Sequence, residues 1–298
     1  MNAVKMRKFM ITTEESEQIA SILKLAPFNQ IKPISGGSIN EAFVLSNDSD
    51  KVFVKRNNKD QYPQMFVEEA NGLNLLRENA RIMRIPEVLA VFEMGSYQYL
   101  ALEFIQEGQN TQVSQQRLGH ALAEIHTATA SVFGHNENNY MGALPQSNRD
   151  HQDWVEFWTE ERLRPQVNLA IDRAAFTAKD ASDFELLYKN LPNLMPREEP
   201  CLVHGDLWSG NYLINYQENP VLIDPAVYFG HREVDIAMTQ LFGGFSEQFY
   251  TAYHEALPLE LGWKNRTDLF NLYPLLIHVN LFGGGYIQQV KSIIKNWV

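Results

Sequence analysis

Two short segments of this chain carry side chains whose types and spacing suit phosphoryl transfer. The first is His204-Gly205-Asp206-Leu207-Trp208-Ser209-Gly210-Asn211, where an asparagine follows an aspartate at the fifth position. That is the catalytic-loop spacing of phosphoryl-transfer enzymes. The Asp206 carboxylate orients the attacking hydroxyl and takes its proton, while the Asn211 amide oxygen holds a Mg2+ that bridges ATP phosphates. The second segment is Val221-Leu222-Ile223-Asp224-Pro225, an apolar strand ending in an aspartate placed as the other metal ligand. Two oxygen ligands from separate loops suit Mg2+, which completes its octahedron with water and phosphate oxygens. Gly-Asp or Asp-Pro alone reads as turn chemistry. Together, 18 residues apart and flanking a predicted β-ribbon, the two aspartates point to a kinase.

A kinase needs a clamp for the nucleotide, and the N-terminal third offers one. Gly36, Gly37 and Ser38 precede a predicted strand and let backbone amides approach phosphates, although hairpin turns use Gly-Gly too. Lys55 ends the alternating run 52–54 and reads as a solvated edge lysine or as the cation that meets the α- and β-phosphates. Its partner is then a glutamate on the following helix. Glu69 suits this better than Glu68, because it lies beside the Phe66, Ala70 and Leu73 face. Glu103, Phe104 and Ile105 close a later hairpin, where backbone groups reach an adenine edge.

The elements that must position these residues follow from periodicity and turn chemistry. Thr12 and Glu15 form a capping-box pattern opening a helix with Ile19, Ile22, Leu23 and Ala26 on its apolar face. Strands are predicted over 41–45 and 51–55, a helix over 64–79, and strands over 87–93 and 97–104. Past Gly108 the pattern becomes helical, with Leu118, Ala121, Leu122 and Ile125 on one stripe and Trp154, Phe157 and Trp158 on another. Such stripes read as core. A ribbon over 212–215 and 221–223 interrupts the helices, and a long helix spans 271–282. The lobe boundary is expected near 106–110.

Composition narrows the function class. At 298 residues the chain is long for one core, so two lobes sharing a cleft are expected. A net charge of −11 argues against a nucleic-acid partner and suits a cationic small substrate. No run is long and apolar enough to span a bilayer, and no signal sequence opens the chain, so no membrane role and a cytoplasmic location are expected. The single cysteine, Cys201, excludes an intrachain disulfide framework and reads as a buried, inert thiol.

The segment 204–211, taken with Gly230-His231-Arg232-Glu233-Val234-Asp235-Ile236-Ala237-Met238, resembles the fructosamine kinase (ketosamine-3-kinase) family. These are relatives of aminoglycoside phosphotransferases. The likeness runs over nearly the whole chain, through 36–42, Gly142 to the Pro145-Gln146-Ser147-Asn148 run, Leu241-Phe242-Gly243-Gly244-Phe245 and Tyr273-Pro274-Leu275-Leu276-Ile277-His278. It implies an α+β, bilobal protein-kinase-like fold, with a small mixed N-lobe (1–106) as nucleotide clamp and a mainly helical C-lobe (107–298) holding the catalytic loop and acceptor site. It also implies phosphorylation by ATP, with Mg2+, of the 3-hydroxyl of ketosamines, free or protein-bound, after which the adduct breaks down and the amine is released. This amounts to deglycation, a protein-repair activity. The implied roles are Asp206 as base, Asn211 and Asp224 as metal ligands, Lys55 and Glu69 as phosphate clamp, and Glu103, Phe104 and Ile105 as adenine-binding hinge. Eukaryotic members place a cysteine tied to redox control about where Ser38 stands, and serine cannot form a disulfide.

Several residues admit two readings. Trp208 is either a platform for a sugar's apolar face or an aromatic that buttresses the catalytic loop. Asp235 is either a helix cap or a brace for that loop. His278 and Asn280 either line the acceptor pocket or sit satisfied in their helix. The alternative functions are a kinase for another small hydroxylated cation, such as an aminoglycoside or choline, and a non-catalytic pseudokinase. The latter would normally have lost one of Lys55, Asp206, Asn211 or Asp224, and all four are present. A metal hydrolase is weaker still, since no histidine pair has metal-ligand spacing.

Overall fold

The computed structural model describes residues 10–34 and 39–298, which fall into two compact units. The first comprises Met1–Asn74 and Ile85–Gln106, the second Leu75–Arg84 and Glu107–Val298.

The first unit is built on a five-stranded antiparallel sheet. Its strands are β1 (Gln30–Ile34), β2 (Glu41–Ser46), β3 (Lys51–Asn58), β4 (Val88–Met94) and β5 (Tyr97–Glu103), in the order β1-β2-β3-β5-β4. Register puts Phe43 opposite Val54 and Val54 opposite Ala101, so these side chains and those of Leu45, Val52 and Tyr99 share one face. Helix α1 (Thr13–Leu23) contributes Ile19 to this cluster. Each large aliphatic or aromatic side chain buried here contributes ~1.5–3 kcal/mol. The Thr12/Glu15 capping box is formed, and Glu15 also accepts hydrogen bonds from Arg56 (2.9 Å) and Tyr99 Oη (2.5 Å). Buried Arg56 is further paired with Glu41 at 2.6 Å. Strand period 2 turns Lys55 to the face opposite Val54, where helix α2 (Met65–Asn79) supplies Glu69. Strand β1, unforeseen in the sequence, contains Pro33; the missing N–H is tolerated because β1 is an edge.

The second unit is mainly helical. Its helices are α3 (Gln112–Ile125), α4 (Trp154–Phe157) running through a π-helix (Trp158–Leu163) into α5 (Arg164–Asp172), α6 (Ala178–Leu194), α7 (Glu233–Leu241), α8 (Glu247–Ala256), α9 (Trp263–Phe270), α10 (Leu272–Phe282) and α11 (Gly285–Ile294). The aromatic stripe at 154–158 is core: Trp154 stacks on Trp158 with centroids 5.1 Å apart, and Trp158 meets Phe270 and Tyr273. Three two-stranded ribbons punctuate the helices. They pair β6 (Asn139–Met141) with β7 (Leu144–Gln146), β8 (Cys201–Val203) with β11 (Tyr228–Gly230), and β9 (Tyr212–Ile214) with β10 (Pro220–Leu222). Cys201 lies buried in β8, and burial pushes its thiol well above the usual range. Among the described residues no helix is long and apolar enough to cross a membrane.

Candidate active site

Strand β8 delivers the chain into the loop that carries Asp206, and the β9–β10 ribbon closes it. Pairing of Tyr212 with Leu222 brings Asn211 and Ile223 together, and the Ile223 N–H donates to the Asn211 carbonyl at 3.0 Å. The ribbon therefore sets Asp224 beside Asn211. The Asn211 amide Nδ2 donates to Asp206 Oδ2 at 3.0 Å and to the Asp206 carbonyl at 2.8 Å. With its donor committed to Asp206, the Asn211 amide presents Oδ1 for a cation. Asp224 has φ +54, in the left-handed region that a short polar side chain tolerates. One amide oxygen and one carboxylate form the hard oxygen set that Mg2+ takes, so these residues fit that ion. Among the described residues no cluster of three or more His, Cys, Asp or Glu forms a metal cage.

Electrostatics single out Asp206. Burial pushes its carboxyl up to about 8; the Asn211 amide opposes this, while the negative charges of Asp224 and Asp235 add to it. His204 ties the loop from behind. Its Nδ1 accepts the Asp206 N–H at 3.3 Å, so the proton sits on Nε2, which donates to the Ile223 carbonyl at 2.9 Å. Burial holds this ring below the usual histidine range, in keeping with the neutral tautomer. Gly205 has φ +82, and a Cβ there would lie 2.1 Å from the Ala226 carbonyl oxygen, so the turn before Asp206 admits only glycine.

Asp235 is the brace of this loop. Its Oδ2 accepts the His204 N–H at 2.7 Å and His126 Nε2 at 3.2 Å, and its Oδ1 accepts the Gly205 N–H at 2.9 Å. Burial raises the carboxyl's pKa, but the bonds from His126 and the loop outweigh it and hold the group below the ordinary aspartate range. The neighbouring polar residues are equally committed. Arg232 pairs with Glu198 at 2.8 Å and donates to the carbonyls of Leu257 and Pro258, and Glu233 pairs with Arg266. His231 is packed against Trp154 and Phe270, and burial drops its pKa to about 4.

In the first unit Lys55 Nζ meets Glu69 Oε1 at 2.7 Å, and Lys55 is buried. Glu103, Phe104 and Ile105 are half-buried at the end of β5. The Glu103 N–H donates to the Glu87 carbonyl at 2.9 Å, and Lys51 Nζ lies 3.9 Å from the Phe104 ring centroid. Gly36, Gly37 and Ser38 lie outside the described residues.

Trp208 and His278 are joined through Phe242. The Trp208 indole lies over Gly210, where a Cβ would approach it to 2.3 Å, and it meets Phe242 edge-on at 6.0 Å. Phe242 is 5.4 Å from His278, which contacts Phe282 and Tyr286 in turn. Trp208 is 37%, Phe242 44% and Phe282 59% exposed, so this row of rings is surface rather than core. His278 donates from Nδ1 to the Pro274 carbonyl at 2.7 Å, leaving Nε2 as acceptor. Gly244 packs on Ser209, and its carbonyl accepts from Tyr212 Oη at 2.7 Å, seating the 242–244 turn on the catalytic loop. Asn280, by contrast, is buried and donates to the Gln166 carbonyl at 2.9 Å. A cavity of about 870 Å³ lined by Tyr250, Trp263, Glu247 and Glu255 holds none of the predicted site residues; it is an open groove.

Sequence reasoning did not assign Phe242, Asn139 or Gln146 a role. The sequence carried no signal for them: the exposure of Phe242 and the burial of the two amides are visible only in the fold.

Comparison with known proteins extends these observations over the whole chain. The profile of the fructosamine kinase family matches residues 11–298. A Synechocystis sp. protein named "probable ketoamine kinase" is 42% identical over 265 residues, covering 89% of this chain and 88% of that one. The chloroplastic protein-ribulosamine 3-kinase of Arabidopsis thaliana is 37% identical over 308 residues, covering 100% of this chain and 89% of its own. Among solved structures, a Thermobifida fusca protein named for fructosamine-3-kinase superposes with a TM-score of 0.86 at 32% identity, covering 96% and 98% of the two chains. Aminoglycoside phosphotransferase APH(4)-Ia, at 17% identity, TM-score 0.62 and coverage of 96% and 100%, shares the fold. The architecture is therefore the mixed α+β, kinase-like one of these enzymes.

Proposed function

The chain belongs to the fructosamine kinase family, and from that premise we propose that it phosphorylates the 3-hydroxyl of ketosamines, the ribulosamine and fructosamine adducts of amines. It is an ATP-dependent phosphotransferase acting on a hydroxyl group. The observation that carries the reading is the Asp206–Asn211 contact with Asp224 fixed beside it by the β9–β10 ribbon.

Asp206 accepts the proton of the attacking 3-hydroxyl as its oxygen bonds to the γ-phosphorus and the bond to the ADP oxygen breaks. Asn211 Oδ1 and Asp224 would hold Mg2+, which would neutralise phosphate charge there. Lys55, fixed by Glu69, pairs with the α- and β-phosphates, and the backbone at Glu103, Phe104 and Ile105 meets the adenine edge. Gly36, Gly37 and Ser38 take the phosphate-loop role. Trp208 and His278 take the sugar: the indole face suits its C–H surface, and His278 Nε2 accepts a hydroxyl hydrogen.

The product decomposes by its own chemistry. Loss of a proton from C1 gives an enaminol, the C3 phosphate leaves as inorganic phosphate, and water hydrolyses the resulting C1 imine to release the amine. The cytoplasm is the place where this deglycation would occur.

A coupled ATP-turnover screen over ribulose-lysine, fructose-lysine, aminoglycosides and choline tests the proposal. Ketosamines should give ADP, a one-phosphate mass gain and then free lysine. Turnover with an aminoglycoside or choline and none with ketosamines would overturn it.

A further inference from the structure

Asp224 is a non-glycine residue in left-handed backbone, a conformation that persists only where its surroundings hold it. On its N-terminal side the holding groups belong to the catalytic loop: Asn211 and His204 bind the N–H and carbonyl of Ile223. On its C-terminal side they come from a different place. The Ala226 N–H donates to the His204 carbonyl at 2.9 Å, but the Ala226 carbonyl accepts from Gln146 Nε2 at 3.2 Å and the Val227 carbonyl from Asn139 Nδ2 at 2.8 Å. Asn139 and Gln146 are the outer ends of the β6–β7 ribbon and face each other in its register.

These two amides sit at the head of a buried polar chain. Gln146 Nε2 donates to Asn139 Oδ1 at 2.7 Å, and Gln146 Oε1 accepts from Tyr273 Oη at 2.8 Å. Asn148 donates to Asn139 Oδ1 at 3.2 Å and accepts from Arg162 at 2.6 Å. Arg162 is fully buried, its guanidinium 4.0 Å from the Tyr228 ring centroid. An apolar filling would pack this space without such desolvation. What the amides provide, and apolar groups would not, is a fixed position for two carbonyls immediately after Asp224-Pro225.

We propose that Asn139 and Gln146, with Tyr273 orienting the latter, are positioning residues for Asp224: they hold its carboxylate where it shares a divalent cation with Asn211. The proposal rests on Asp224 being a metal ligand.

The test is Mn2+ binding to the full chain with a non-hydrolysable ATP analogue, followed by electron paramagnetic resonance, beside nucleotide affinity without metal, melting temperature and steady-state kinetics. Gln146→Met should weaken Mn2+ binding by up to roughly 10-fold, the lower end of the range for groups bonded directly to a metal ligand, because Gln146 reaches Asp224 through the Ala226 carbonyl. Tyr273→Phe, which removes one hydroxyl and keeps the ring, should weaken it less. Metal-free nucleotide affinity should be unchanged in both, and excess Mg2+ should restore part of the lost turnover. If Gln146→Met does not fold, Tyr273→Phe decides alone. Unchanged Mn2+ affinity, with turnover falling only in step with melting temperature, would show the network to be structural. Asp224→Ala is the control: unchanged Mn2+ binding there would overturn the ligand assignment and the proposal with it.

Discussion

Replacing Asp235 with asparagine tests how the catalytic loop is held. The carboxylate accepts two backbone N–H groups, those of His204 and Gly205, and the His126 ring, all without solvent. Asparagine keeps one acceptor oxygen, but its NH2 group would face an N–H or the histidine donor. One buried donor is left unsatisfied and a charge-assisted bond is lost, together about 3 kcal/mol from the usual range for such bonds. For a unit of this size each kcal/mol moves the melting temperature roughly 2–4 °C, so Asp235→Asn should lower it by roughly 6–12 °C near neutral pH. The pH dependence carries a definite sign. The folded pKa of Asp235 lies below the unfolded value near 4, so its contribution is complete above about pH 4 and is lost as pH falls through the folded pKa. The gap between wild type and variant, followed by scanning fluorimetry, should therefore close in acid. Turnover should fall more than ATP affinity, because the loop carries Asp206. An unchanged melting temperature at neutral pH, or a gap that widens in acid, would refute the brace.

Asp206→Asn should cut turnover roughly 10²–10⁴-fold in the coupled assay. The same variant should raise the melting temperature of the ligand-free protein at neutral pH, because the wild-type carboxyl, pushed up to about 8, must take up a proton on folding; a lower melting temperature would contradict that. Lys55→Met should depress kcat/KM for ATP and removes the 2.7 Å ion pair with Glu69, and an unchanged value would make Lys55 structural. Trp208→Ala should raise KM for the ketosamine more than for ATP, whereas equal losses with a lower melting temperature would mark the indole as a buttress of Gly210.

What the sequence disclosed was set by local rules. The capping box at Thr12, the 41–58 hairpin and the ribbon around 212–222 rest on residues close in the chain, and so does the placing of Asn211 next to Asp206. The Lys55–Glu69 pair could be framed in advance because helix and strand periods fix which faces they occupy. Edge strand β1 was hidden by Pro33, whose lost donor matters only if the strand is central. The β6–β7 and β8–β11 ribbons are three residues per strand, too short for any alternation to register. Asp235 could be named but not assigned, since its partners His126, His204 and Gly205 are remote in sequence from it. The Asn139 and Gln146 cluster escaped for the same reason, compounded by polar side chains that read as surface until burial is known.

The Gly230–Asp235 segment supplies a packed histidine, two ion pairs and a brace. A descendant of this chain that abandoned phosphoryl transfer would be released from keeping Asp206, Asn211 and Asp224, yet would still collapse without this segment. Decay of catalysis and decay of the scaffold would therefore leave separate marks on a genome. A relative that retains Gly-His-Arg-Glu-Val-Asp but has lost the three site residues would be a folded scaffold without turnover, and its ability to fold without turning over ATP can be read directly from melting and turnover measurements on the purified protein.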